Sequence, residues 1–267
     1  MAKRGSDSSV IIGIIMGFGG VLAGFLYEGG GPASLINVSA LIIIVFGTLG
    51  ALTASFSLRQ VLGIPKIIQQ ALKSVPGPSP QLAQQLLEFA EKARRDGILS
   101  LEDTVEDLED EMLRKGLRLV VDGTESEVLA DVLESDLAIL ESRQLEGSEI
   151  FEAAGGYSPT IGIIGAVLGL IQVMQHLDKI DEVGKGIAVA FVATLYGVGA
   201  ANLILLPVAG KLKIRIRDEQ IIREMTLEGV VSILEGMNPR MLEVKLLGFL
   251  VKAREPAAVP VEEEPNP

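Results

Sequence analysis

The stretch YSPTIGIIGAVLGLIQVMQHL (residues 157–177) contains no acidic residue, no lysine and no arginine, yet it holds repeated glycines, one proline and the single histidine of the chain. About 20 apolar residues in a helix that rises about 1.5 Å per residue cross the roughly 30 Å hydrocarbon core of a bilayer. The stretch therefore predicts a membrane-spanning helix. Its glycines need another explanation, because glycine weakens a helix in water.

Three further blocks lack charged side chains over a similar length: residues 8–27, 32–58 and 186–210. The first follows Lys3 and Arg4, but its apolar run is longer than that of a usual signal peptide and no A-x-A-like site follows it, so we expect a retained anchor. The spans are thus paired, two on each side of a polar segment. We expect an all-α, polytopic membrane protein with four transmembrane helices and an inserted cytoplasmic helical domain.

Domain boundaries and orientation follow from charge and periodicity. We expect a first transmembrane pair at 1–56, the cytoplasmic helical domain at 57–156, a second transmembrane pair at 157–210, a cytoplasmic helical extension at 211–254 and a disordered tail at 255–267. Lys and Arg cluster before the first span, after the second and after the fourth, which places both termini and the middle segment in the cytoplasm. The loop 178–185 also carries lysines, among three acids, and is the weakest point of this orientation.

Helical faces can be predicted inside the polar segment. Ser100 begins SLED, a match to the capping box, so its side chain is expected to accept from the amides of the next helix. Two apolar faces follow from helical spacing. They comprise Leu82, Leu86, Phe89, Ala90 and Ala93, and then Val128, Val132, Leu133, Leu137 and Leu140.

Composition excludes several classes of protein. The chain has 267 residues, a net charge of −12 and no cysteine, with 48% hydrophobic residues and a mean hydropathy of +0.42. The negative charge argues against a nucleic-acid surface, and the absence of cysteine excludes disulfides, thiol nucleophiles and cysteine-ligated zinc. One histidine without clustered acids predicts no metal site. No nucleophile–base pair or phosphate loop is visible, so we expect no enzyme and no cofactor.

Small residues recur at helical spacing in the apolar blocks. In lipid, helices associate through small residues that let their backbones approach closely, which explains the glycines. The residues expected to serve this packing are Gly162, Gly165, Gly169, Gly197 and Ala201. The pattern alone fits packing within one chain and packing between chains equally well.

No Asp, Glu, Lys or Arg lies inside any span, so the chain has no carboxylate of its own to carry a proton through the bilayer core. A translocated ion would need an acid from another chain. The hydroxyl of Thr194 either faces a partner helix or bonds back to a carbonyl of its own helix. Pro159 is expected in the first turn of the third span, where proline is harmless, and Pro207 is expected to kink the fourth.

The paired spans and three motifs together resemble the MotA family of bacterial flagellar stator subunits. The motifs are ARRDGILSLED (93–103), SPTIGIIGAVLGLI (158–171) and AFVATLYGVGAANLILLP (190–207). The resemblance covers nearly the whole chain except the tail. It implies an inner-membrane homo-pentamer around a dimer of a MotB-like partner, whose membrane aspartate carries the ion, and a cytoplasmic domain that turns a rotor through a FliG-like switch protein.

The resemblance also assigns roles to individual residues. Thr194, Ala166 and Tyr196 fall in the ion pathway, and Pro159 and Pro207 at the membrane–cytoplasm boundary, where they couple conformational change. Arg94 and Glu102 match the charged pair at the rotor interface, with Arg95 as the alternative arginine. Sodium-driven relatives carry threonine at the position of Ala166, and sodium needs several oxygen ligands, so H⁺ is expected to be the translocated ion and Na⁺ is less favoured.

Two other functions are compatible with part of this pattern. TolQ/ExbB-type energisers resemble the last two spans but have one span before the cytoplasmic insert, where this chain has two. A passive membrane scaffold would use the small-residue faces only to hold its partners.

Overall fold

The computed structural model describes residues 9–71 and 79–252. They form helices α1 Ser9–Tyr27, α2 Val38–Ser55, α3 Leu58–Leu62, α4 Ile64–Ala71, α5 Pro80–Asp96, α6 Glu102–Val105, α7 Glu111–Val121, α8 Ser126–Gln175, α9 Ile180–Ala200, α10 Leu206–Leu234 and α11 Pro239–Lys252. Two 3-10 turns, Pro32–Leu35 and Ile98–Leu101, and a π-helical turn, Ala201–Leu205, complete the regular structure of these ranges. The predictions of an all-α fold and of four helices suited to cross a membrane are confirmed.

The chain divides into two compact units. Of the described residues, 9–71 and 144–213 form the apolar unit, and 79–143 and 214–252 form the polar unit. The polar unit is thus built from two separate stretches of chain, and α8 and α10 each contribute residues to both units. Lys3, Arg4 and the predicted tail at 255–267 lie outside the described residues.

The helices of the polar unit meet around one apolar core. The face predicted for α5 is found there, with Leu86, Phe89, Ala90 and Ala93 buried and Leu82 packed at its edge. The face predicted for residues 128–140 is only half right, because Leu133 is buried but Val128 and Leu140 are 49% and 38% exposed. Other fully buried members of the core are Leu101, Leu113, Leu117, Val120, Leu129, Met225, Val230, Leu242 and Leu246.

The predicted capping box at Ser100 is wrong. Gly97 ends α5 in a left-handed conformation with φ of 87°, which glycine adopts without strain. The chain then turns tightly through residues 98–101, and the Ser100 hydroxyl donates to the Gly97 carbonyl at 2.6 Å instead of capping α6. A capping box does occur at Ser57, which accepts from the Gln60 amide while the Gln60 side chain accepts from the Ser57 amide.

The prediction that Pro159 occupies a first turn is also wrong. Pro159 lies inside α8, a helix of 50 residues that begins at Ser126. The charged residues before position 157 and the apolar residues after it therefore belong to one uninterrupted helix. The fourth span likewise passes through the π-helical turn into α10, and a new helix, α11, begins at Pro239.

Candidate functional site

Glycines bring the backbones of α8 and α9 into contact. A Cβ atom on Gly169 would lie 2.7 Å from the carbonyl oxygen of Gly186, and one on Gly162 would lie 3.0 Å from the carbonyl oxygen of Ala193. A Cβ on Gly197 would lie 2.6 Å from the backbone oxygen of Ser158. Such distances leave no room for a side chain against rigid backbone. These glycines are therefore used in packing within one chain.

Gly165 belongs to the same contact between α8 and α9, because a Cβ there would lie 2.7 Å from the Ala193 methyl group. Ala201 is buried, at 1% exposure. In α1, by contrast, a Cβ on Gly13, Gly20 or Gly24 would meet nothing within 4 Å, although one on Gly17 would lie 2.9 Å from the Leu203 side chain. Most glycines of α1 therefore lie in open surroundings, unlike those of the α8–α9 contact.

Thr194 lies on the side of α9 that approaches α8. Its hydroxyl donates to the Ala190 carbonyl at 3.2 Å, which is the bond back to its own helix that the sequence left open. A Cβ on Gly162 would lie 3.3 Å from the Thr194 Cα atom, and the half-buried Ala166 follows Gly162 by one helical turn. The hydroxyl keeps free lone pairs, because it acts as a donor in this bond.

Tyr196 ties α9 to the beginning of α2. Its hydroxyl donates to the Leu35 carbonyl at 2.5 Å and accepts from the Asn37 amide at 3.3 Å. Asn37 is also the N-cap of α2, where its side chain accepts from the Ala40 amide. Ala40 is buried in a cluster with Val192, Ala193 and the Tyr196 ring. The phenol therefore fixes the start of α2 against the turn of α9 that holds Thr194.

The two prolines lie close to one contact in the apolar unit, where α8 packs against the start of α10. Pro159 has no N–H, which deprives the Gly155 carbonyl of its usual helical donor. Gly155 packs against Leu206, so closely that a Cβ would lie 2.5 Å from that side chain, and Leu206 precedes Pro207. The π-helical turn immediately before α10 is closed by the Leu206 amide, which donates to Ala201.

Ser158 connects this region to the turn of Thr194. Its side chain is 1% exposed, and its hydroxyl donates to the Gly197 carbonyl at 3.0 Å. Sequence reasoning assigned no role to Ser158 and did not detect the π-helical turn. The only available signals were a serine beside a proline in an apolar block and the proline that follows the turn.

Among the described residues of the apolar unit, Thr48 has a buried hydroxyl without a hydrogen-bond partner. No group of His, Cys, Asp and Glu within residues 9–71 and 79–252 is arranged to hold a metal ion.

The two candidate arginines have different contacts in the polar unit. Arg95 pairs with Asp96 at 2.8 Å, and this hydrogen bond lowers the pKa of Asp96 and raises the pKa of Arg95. Arg94 forms no ion pair within the described ranges and lines an open pocket of about 470 Å³ with apolar neighbours that include Leu99 and Met237. Glu102 is exposed at the first position of α6. Arg95 thus has an acidic neighbour, whereas Arg94 has no ion-pair partner within the described ranges.

Comparison with known proteins identifies the family. The model of the MotA/TolQ/ExbB proton channel family matches residues 104–225. Motility protein A of Bacillus subtilis (strain 168) is 37% identical over 245 residues, which cover 91% of each chain. The chain belongs to the MotA/TolQ/ExbB proton channel family.

Solved structures of this family have the same fold. A chain of the flagellar MotAB stator complex from Bacillus subtilis superposes with a TM-score of 0.85 at 36% identity, covering 93% of this chain and 100% of that one. A chain of C. jejuni MotAB also gives a TM-score of 0.85, at 32% identity, covering 91% and 95% of the two chains. The two MotAB chains therefore share with this chain a fold that includes both span pairs and the polar unit.

Proposed function

We propose that this chain is a stator subunit of the bacterial flagellar motor, which conducts ions across the inner membrane together with a MotB-like partner and converts that flow into torque. The observation that carries this function is the similarity to Motility protein A over 91% of the chain, combined with four helices suited to span a membrane. The protein acts as an ion-conducting motor component and not as an enzyme.

The partner supplies the ionisable group of the pathway. Residues 157–177 and 186–210 contain no Asp, Glu, Lys or Arg, and an ionisable residue inside a membrane marks an ion pathway because it is costly to keep there. The acid therefore resides on the MotB-like chain. The stator is a homo-pentamer around a dimer of that partner, a stoichiometry suggested by the family resemblance.

The translocated ion is a proton. A sodium ion needs several oxygen ligands in place of its water, whereas a proton needs only the partner's carboxylate. The Ala166 side chain has no oxygen to offer an ion. The side-chain oxygen of the pathway is the Thr194 hydroxyl in the α8–α9 contact, and Tyr196 lies beside it. The lone pairs of the Thr194 oxygen remain available to a protonated carboxyl group, since the hydroxyl donates its hydrogen to the Ala190 carbonyl.

Changes at the ion site reach the rotor through the helices. Pro159 and Pro207 relieve α8 and α10 of helical hydrogen bonds, so small changes in backbone angle cost less there. The polar unit is the inserted cytoplasmic domain, both termini are cytoplasmic, and Arg94 and Glu102 bind a FliG-like switch protein. The unpaired state of Arg94 supports this assignment over Arg95.

An energiser of the TolQ/ExbB type is the second candidate, because the matching family model includes such proteins. The two apolar helices before the polar unit favour the stator. A scaffold that conducts no ion would be insensitive to changes at Thr194.

The test is motility in cells that lack their own stators, supplied with this chain and its neighbouring membrane partner, while external sodium is varied at constant proton-motive force. Swimming that does not depend on sodium is expected. Swimming that tracks sodium would keep the stator and overturn proton coupling. A complex that reaches the membrane without restoring motility would favour the energiser or the scaffold.

A further inference from the structure

The short helices α3 and α4 follow the second span directly. Only two residues separate the end of α2 at Ser55 from the start of α3 at Leu58. The 18 residues of α2 rise about 27 Å, close to the thickness of the hydrocarbon core. The segment from Leu58 to Ala71 therefore starts where the bilayer core ends.

One face of this segment packs against the apolar unit. Ile64 and Ile67 contact the clusters around Phe151, Val208 and Ile150, and Ala71 is 2% exposed. A Cβ on Gly147 of α8 would lie 3.2 Å from the Ile67 side chain. The segment is thus held firmly along its inner face, and its opposite face has a fixed orientation.

The opposite face combines bare leucines with cations. Leu58 is 67% exposed and Leu62 is 79% exposed, and both Arg59 and Lys66 are exposed. Leu58, Leu62 and Lys66 follow one another at four-residue steps. Leucines at this depth suit the boundary of the acyl chains, while longer basic side chains extend to the headgroups.

The two cations have no acidic partner among the described residues. Glu146 accepts a hydrogen bond from the Gln60 side chain at 3.0 Å. Glu152 is engaged by Lys213 at 2.5 Å. Residues 57–71 contain no acid of their own. The positive charge of Arg59 and Lys66 is therefore uncompensated on a face that adjoins the membrane.

We propose that the face formed by Leu58, Arg59, Leu62 and Lys66 is a binding site for anionic phospholipid headgroups of the adjoining leaflet. The leucines enter the acyl boundary, and the guanidinium and ammonium groups bind lipid phosphates, the guanidinium in a bidentate manner. This site is independent of the ion pathway and would anchor the connection between the second span and the polar unit. Neutral lipids could occupy the same position but would not neutralise the charges of Arg59 and Lys66, so the site favours anionic lipids.

Tryptophan fluorescence can test this proposal, because the chain contains no tryptophan. The Leu62→Trp protein is reconstituted with its membrane partner, and the signal of the unsubstituted complex is subtracted. Vesicles contain phosphatidylglycerol and phosphatidylcholine, and one of the two lipids is brominated at equal mole fraction. A cation near the surface favours an anionic over a neutral membrane about fivefold. Quenching by the brominated anionic lipid should therefore exceed quenching by the neutral one.

Matched variants separate this site from general attraction. The measured ratio is quenching by the brominated anionic lipid divided by quenching by the brominated neutral lipid. Arg59→Gln with Lys66→Gln should reduce this ratio to about one. Arg118→Gln with Arg240→Gln removes the same charge from the polar unit and should leave the ratio unchanged. Phe46→Trp, at a 69% exposed position of α2, should show no preference for either lipid. If the double variant does not assemble, raising the salt concentration should reduce the ratio in the Leu62→Trp complex.

Three results would overturn the proposal: no quenching of the Leu62→Trp protein by either lipid, a ratio of one at low salt, or a preference that survives removal of both cations. None of these measurements uses motility, so they stand apart from the test of stator function.

Discussion

Thr194 offers the sharpest test of a single residue. Its hydroxyl bonds within α9, so Thr194→Val removes an oxygen from the α8–α9 contact with almost no change in volume. If that oxygen accepts a hydrogen bond from a protonated partner acid, the loss is about 1 kcal/mol, about fivefold in the rate of ion transfer. We expect torque and proton flux to fall by about this factor at unchanged membrane levels of the complex.

Thr194→Ser is the matched control, because it retains the hydroxyl and removes only a methyl group. It should keep most of the flux. Equal loss in the two variants, or normal flux in Thr194→Val, would exclude an ion-path role for the hydroxyl.

The adjacent arginines should respond differently to charge reversal. Arg94→Glu places an acid beside an open pocket and turns attraction for an acidic rotor surface into repulsion, so we expect torque to fall severalfold while the complex still assembles. Arg95→Glu should have a smaller effect, since Arg95 is already paired with Asp96. A compensating charge on the rotor protein should restore torque to Arg94→Glu alone, as measured by tethered-cell rotation.

The pH dependence of this neighbourhood has a definite sign. The pKa of Asp96 is lowered in the folded protein, chiefly by the hydrogen bond from Arg95, so the pair persists at neutral pH. The contribution of this pair to the stability of the folded protein is present above the unfolded pKa of Asp96. It is lost as pH falls through the lower pKa of the folded protein. Near-neutral cytoplasmic pH should therefore not alter the contrast between the two arginines, and rotation at clamped internal pH would show whether it does.

At the scale of elements, the tether between α2 and α9 depends on one phenol. Tyr196→Phe removes a donor to the Leu35 carbonyl and leaves the Asn37 amide without an acceptor, which costs about 1–3 kcal/mol for a buried group. We expect faster amide exchange at Asn37, a lower melting temperature of the purified complex and reduced torque.

Tyr157→Phe is the control for that experiment. The Tyr157 hydroxyl bonds to the Ser55 hydroxyl at 2.9 Å at an exposed position, so its removal should cost about 0.6 kcal/mol or less and leave exchange at Asn37 unchanged. A tether at Tyr196 would be refuted if both variants altered Asn37 exchange to the same extent.

Sequence patterns predicted helices better than their ends. The four spans follow from apolar length alone, and the stop of α5 at Gly97 follows from glycine. The helix that contains the third span starts at Ser126, well before the apolar residues begin, because helical hydrogen bonding continues across the change from charged to apolar residues in α8. The π-helical turn depends on packing of Leu206 against Gly155, which residues distant in sequence determine.

The candidate site was predictable to a similar degree. Small residues at helical spacing indicated close packing but not which helices pack. The short distances from Gly169 to the Gly186 carbonyl and from Gly197 to the Ser158 carbonyl assign that packing to α8 and α9 of one chain. The pairing of Arg95 with Asp96 also needed structure, since both arginines precede Asp96 and a sequence cannot show which side chain reaches it.

For the molecule as a whole, the decisive feature is that both α8 and α10 cross from one compact unit to the other as continuous helix. A helix transmits rotation and displacement along its axis only while its hydrogen bonds are intact. Ser142 lies in α8 next to the division between the units, and it is exposed. Ser142→Pro removes a helical donor and clashes with the preceding turn, which costs about 3 kcal/mol or more and bends the helix.

We therefore expect Ser142→Pro to uncouple ion flow from torque: rotation should be nearly lost, while the complex still forms and proton flux through it continues. Ser142→Ala, which changes the same exposed side chain without affecting the backbone, should rotate normally. Tethered-cell torque and proton flux in vesicles, measured on the same two variants, test this directly. Normal torque in Ser142→Pro would show that α10 suffices, and parallel loss of flux and torque would show that the two units are one cooperative structure and α8 is not a transmission element.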